Sequence, residues 1–159
     1  MFDQILGLPA HPLIIHFAVV LTPLLAALAV AYALLPGRRP LLAWALVLLS
    51  AAAPAAVFAA KESGERLRES RFASAGDVMG QRIAAHESFA VPLLLSVSGL
   101  ALASLVFVYA TTAARGSTRD RFGRTATLGL SALTMVLAAV TAYFVFRAGD
   151  SGARAVWGA

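Results

Sequence analysis

Apolar and polar positions alternate in long blocks along this chain. Near-continuous apolar runs occupy about residues 13–35, 41–60, 89–113 and 125–146. A bilayer core takes roughly 20 helical residues to cross, and each run reaches that length. A membrane β-strand would be shorter and would alternate in polarity. The pattern therefore predicts an all-α fold: an integral membrane four-helix bundle in a single domain covering residues 1–159. Pro12 suits the first turn of helix 1, with His11 beside its N-cap. Pro23, Pro54 and Pro92 fall inside spans 1, 2 and 3, where each should kink its helix or free a carbonyl.

The polar blocks set a topology. The connection LPGRRP is short, so helices 1 and 2 should form an antiparallel hairpin, and helices 3 and 4 a second. Arg38 and Arg39 are its only charges. The connection ARGSTRDRFGR holds Arg115, Arg119, Arg121 and Arg124 against Asp120. Basic residues in short loops mark the cytoplasmic side. The longer connection, about 61–88, has balanced charge and goes outside with both termini. Tyr32, Trp44 and Tyr109 then fall near the inner interface, and Phe17, Tyr143, Phe144 and Phe146 near the outer one. The run AAAPAAVFAA gives helix 2 a small-residue packing surface. A short echo links His16-Phe17-Ala18-Val19-Val20 with His86-Glu87-Ser88-Phe89-Ala90-Val91, so the hairpins read as a parallel repeat.

Composition supports this picture. Of 159 residues, 60% are hydrophobic and only 13% charged, whereas soluble domains carry about 25% charged residues. The net charge of +5 sits between apolar segments, which fits topology and anionic lipid rather than nucleic acid. The chain has no cysteine, which removes thiolate metal sites and cysteine nucleophiles. The N-terminus lacks the basic region of a secretory signal, so span 1 is expected to be retained. High arginine and alanine suggest a bacterial plasma (inner) membrane.

Candidate chemistry collects at the outer end, where His11, His16, His86, Glu87, Lys61, Glu62, Glu65, Arg147 and Asp150 all fall. His11 and His16 are about 140° apart around a helix, so they should not share a face. His11 is expected to serve as a cap, and His16 to point into the bundle toward His86 and Glu87. Preferred is a packing role, in which His16 bonds a carbonyl or a carboxylate such as Glu87. The alternative is ligation by His16 and His86 of b-type haem, or of a divalent metal with Glu87 and Asp150 in support. Met79 as an axial ligand is less favoured than Met79 as an apolar contact. The segment ESGERLRES reads as an exposed extension of helix 2 with ion pairs at helical spacing. No catalytic fingerprint is present.

The segments HPLIIHF (11–17), SGERLRES (63–70), AHES (85–88) and GDSGARAVWG (149–158) follow one another on the four spans. In this the chain resembles the bacterial membrane proteins classed as domain-of-unknown-function 2231, over nearly its whole length. The resemblance implies a four-helix membrane bundle and no established activity. Members typically have proline where this chain has Ala18, and often histidine where it has Asp150. A three-imidazole site in the family would here have a carboxylate as its third member.

The expected function is a non-enzymatic accessory or assembly subunit of a membrane complex, such as a respiratory one. The alternatives are a haem or metal redox protein and, with less support, an oligomeric small transporter. The expected partners are the lipid bilayer and other membrane subunits, with no nucleic acid.

Overall fold

The computed structural model describes residues 4–5, 8–72, 76–112 and 121–158. Two short strands, β1 (Gln4–Ile5) and β2 (Leu8–Pro9), pair antiparallel before the first helix. The helices are α1 (Ala10–Leu34), α2 (Arg39–Arg71), α3 (Asp77–Glu87), α4 (Ala90–Thr111) and α5 (Gly123–Trp157). A single 3₁₀ turn, Pro36–Arg38, joins α1 to α2. Four of these segments are long and apolar enough to cross a membrane. Their outward surfaces carry side chains such as Phe17, Val20, Leu48 and Leu102, which suit a lipid environment.

The helices outrun the apolar blocks. Residues 61–71, expected in a connection, continue α2, and α3 fills much of the remainder. Lys61 pairs with Glu65 at 2.8 Å and Glu62 at 3.2 Å, as an exposed helical extension allows. Met79 lies on α3 and is exposed. Pro92 does not interrupt a span; it falls in the first turn of α4, where its missing N–H is unneeded. Its ring would clash with a helix continuing from α3, so the chain turns at Ser88–Phe89. Pro23 and Pro54 do lie inside α1 and α2. Gly123 opens α5 at φ 79° and Gly158 closes it at φ 69°, a backbone region open mainly to glycine. Arg115, Arg119 and Asp120 lie outside the described residues.

α1 packs along α2, α4 along α5, α2 against α4, and α1 against α5. α1 and α4 lie diagonally across the bundle and touch little. The core is a column of small and medium side chains with two large anchors, Tyr32 and Phe107, packed edge to face at 5.2 Å. Tyr32 does not face outward as a residue of an aromatic belt would. It is buried, and its hydroxyl bonds Thr111 Oγ1 at 2.7 Å. A buried phenol needs such a partner. Arg39 covers both rings and donates to the Tyr32 carbonyl at 3.1 Å. Arg121 repeats this at the end of α4: it lies 4.6 Å from the Tyr109 ring and donates to the Thr112 carbonyl at 3.0 Å. Both arginines complement the negative end of a helix.

The two halves repeat each other. At one constant offset, buried Leu25, Ala26, Ala29 and Tyr32 of α1 match buried Leu100, Ala101, Ser104 and Phe107 of α4. At a second constant offset, buried Leu46, Ser50 and Ala53 of α2 match buried Thr134, Ala138 and Thr141 of α5. The helix contacts obey the same exchange, since α2 on α4 mirrors α5 on α1. The bundle therefore has a pseudo-two-fold relation that exchanges α1 with α4 and α2 with α5.

Candidate functional site

The repeat culminates at one end of the bundle, in two histidine seats. His11 lies in the first turn of α1, and its ring reaches α2. Its Nδ1 is 3.1 Å from the Ala60 carbonyl and 3.0 Å from Ser63 Oγ. The Ser63 hydroxyl itself lies 3.0 Å from that same carbonyl. In the other half, His86 Nδ1 is 3.1 Å from Ser151 Oγ. The Ser151 hydroxyl donates to the Ala148 carbonyl at 3.1 Å. Each ring lies close against a glycine. A Cβ on Gly64 would come within 3.1 Å of His11 Cε1, and one on Gly152 within 3.0 Å of His86 Cε1. At those distances a side chain would require the ring to give way by at least a few tenths of an ångström.

The local sequences explain the match. AKESG at 60–64 and AGDSG at 148–152 share Ala-x-x-Ser-Gly. At 3.6 residues per turn this places carbonyl, hydroxyl and glycine notch on one helix face. At His11 the carbonyl can only accept. At His86 the Ser151 hydroxyl already donates to the Ala148 carbonyl and so accepts. Both arrangements put the ring proton on Nδ1. The lone pair of the neutral imidazole is then on Nε2.

The structure distributes the expected site residues differently. His16 does not point into the bundle. It is exposed, and its Nδ1 donates to the Pro12 carbonyl one turn earlier on its own helix. The physical reason is the angular separation already noted: only one of the two histidines can face inward, and the seat on Gly64 takes His11. Glu87 pairs with Arg68, not with His16. Asp150 pairs with Arg154 one turn on, at 3.1 Å. Arg147 stacks on Phe89 at 4.9 Å. Among the described residues, no three His, Cys, Asp or Glu side chains group as a metal would require. Sequence reasoning missed Ser63, Gly64, Ser151 and Gly152. The repeated Ala-x-x-Ser-Gly was the signal that could have found them.

A second polar feature lies deeper. Thr22, Ser104, Thr134 and Thr141 are fully buried, and their hydroxyls meet no hydrogen-bond partner among the described residues. By contrast, Ser50 and Ser96 return their hydroxyls to carbonyls of their own helices.

A family model described as Predicted membrane protein (DUF2231) matches residues 7–159. The chain belongs to that family. The matched region includes both histidine seats. No curated protein and no solved structure matches the chain.

Proposed function

We propose that this member of the family is a non-enzymatic accessory or assembly subunit of a larger complex in a bacterial plasma membrane, such as a respiratory one. In this reading the bundle consists of two antiparallel hairpins. Both termini and the histidine seats face outward, and the arginine-rich short connections face the cytoplasm.

One observation carries the reading. Beyond the apolar spans, the histidine end presents exposed apolar side chains on α3 and on the end of α5: Val78, Met79, Val156 and Trp157. The two elements adjoin, because Arg82 of α3 reaches the Gly158 carbonyl at 3.4 Å. Apolar side chains gathered outside the hydrocarbon region are a docking feature. The charged groups around them are engaged with one another, as in the pairs Arg68–Glu87 and Asp150–Arg154.

Purification from native membranes in mild detergent, followed by mass spectrometry, tests this. The expected result is stoichiometric co-purification of other membrane subunits, lost when Val78 and Trp157 are both replaced by glutamate. Recovery of the wild-type chain alone, or partners indifferent to the double substitution, would overturn it.

A further inference from the structure

The two ends of the bundle treat their charges differently. At the histidine end, salt bridges join Lys61 to Glu62 and Glu65, Arg68 to Glu87, and Arg154 to Asp150. At the other end stand Arg38, Arg39, Arg121 and Arg124, with no carboxylate beside them among the described residues. Two of these arginines are held in place. Arg39 Nε donates to the Tyr32 carbonyl at 3.1 Å, and its guanidinium lies 4.9 Å from the Phe107 ring centre and 5.6 Å from that of Tyr32. Arg121 Nε donates to the Thr112 carbonyl at 3.0 Å, with its guanidinium 4.6 Å from the Tyr109 ring centre. In both, a carbonyl and a ring fix the guanidinium, while the terminal Nη groups meet no acceptor among the described residues. Such an arginine has already given up much of its rotamer freedom, and its open fork suits two oxygens of a phosphate. Arg147, at the histidine end, also stacks on rings, those of Phe89 and Tyr143, but no carbonyl among the described residues holds its Nε.

We propose that Arg39 and Arg121 are headgroup sites for anionic phospholipid, each binding a phosphate through its open fork. The apolar side chains alongside select a lipid over a free phosphate or a soluble partner. Leu41 and Trp44 follow Arg39 on α2 and are exposed, as are Tyr109 and Phe122 beside Arg121. A phosphate at the helix ends, with acyl chains running down the bundle past these side chains, matches that order of charged and then apolar groups. The uncompensated positive charge selects an anionic headgroup over a zwitterionic one, whose ammonium group it repels. Arg38 and Arg124 strengthen the same positive potential. Each site is complete on one arginine, so the two act separately.

The arginine end lies opposite the apolar patch of the proposed docking surface, so either can fail without the other. The full chain is purified in mild detergent, stripped of native lipid, and supplied with phosphatidylglycerol, phosphatidylcholine or inorganic phosphate. Native mass spectrometry counts the bound lipid, and thermal melts follow the stabilisation. The expected result is one phosphatidylglycerol on each arginine site and a raised melting temperature, with neither effect from phosphatidylcholine or inorganic phosphate. Arg39→Lys and Arg121→Lys keep the charge but lose the fork, so each should bind phosphatidylglycerol about tenfold more weakly at its own site. Arg147→Lys should change neither the lipid count nor the affinity. Size-exclusion profiles identify variants that fail to fold, and Arg121, which is exposed, then carries the test. Equal retention of phosphatidylglycerol and phosphatidylcholine would overturn the proposal. So would stabilisation by inorganic phosphate to the same extent, lysine variants that bind as tightly as the wild type, or an equal loss of lipid in Arg147→Lys.

Discussion

The α1–α2 half and the α4–α5 half are built to one plan, and their differences are as informative as their likeness. Both seat a histidine on an Ala-x-x-Ser-Gly face, and both bury side chains at matching positions. Yet of the four core hydroxyls unpartnered among the described residues, three, Ser104, Thr134 and Thr141, belong to the second half. Their counterparts in the first half are Ala29, Leu46 and Ala53. At these three positions the second half is polar where the first is apolar, and at Ser50 and Ala138 the reverse holds, while the histidine seats stay the same. Packing alone would let both features drift. That one is kept and the other is not points to the seats as the working part of the design.

The sharpest way to break this comparison is to fill the notches. Gly64→Val and Gly152→Val should each lower stability in detergent by about 2–3 kcal/mol, because the ring must leave its seat or the helices must part. Equal losses would support equivalent seats. A loss at one position only would show that the halves do different jobs.

Exchanging core residues between the halves tests the contrast in polarity. Thr134→Leu installs the residue that the first half has at Leu46, and should be neutral or stabilising by up to about 1–3 kcal/mol as an unpaired hydroxyl is removed. The reverse exchange, Leu46→Thr, should destabilise. Thermal melts of the two variants side by side check the sign. A destabilised Thr134→Leu would mean that its hydroxyl has a use.

Smaller effects are expected at the rim of the seats. Ser63→Ala and Ser151→Ala should each cost about 1 kcal/mol, the loss of one hydrogen bond to the ring. Breaking Arg68–Glu87 by Glu87→Gln should cost only about 0.2–1 kcal/mol, because the pair is half exposed. Thermal denaturation of matched preparations resolves both.

Much of the fold was legible because hydropathy and length are properties of contiguous residues. Four apolar blocks become four helices long enough to span a membrane, and the family follows from motifs spread over the chain. The site was only half legible. His86 could be singled out by its place at a helix entrance. The choice between His11 and His16 turned on which one faces inward, and angular spacing shows only that they differ. Pro12 drew attention to capping, yet it also puts His11 in the first helical turn, where the ring can reach α2. Glu87 and Asp150 looked available as ligands because their partners, Arg68 and Arg154, are set by helix extensions beyond the apolar runs. The echo between the halves was visible, but it was aligned on His16 and Phe17. The structure sets the register on His11, five residues earlier.

The central claim is that His11 and His86 occupy equivalent seats. Histidine-ring nitrogen–proton correlation spectra of the labelled protein in micelles test it most directly. Both rings should be in the Nδ1–H form. Ser63→Ala should shift only the His11 signals, Ser151→Ala only those of His86, by similar amounts, and neither should move His16. An Nε2–H tautomer at either ring, or a His16 signal that responds to Ser63→Ala, would contradict the account.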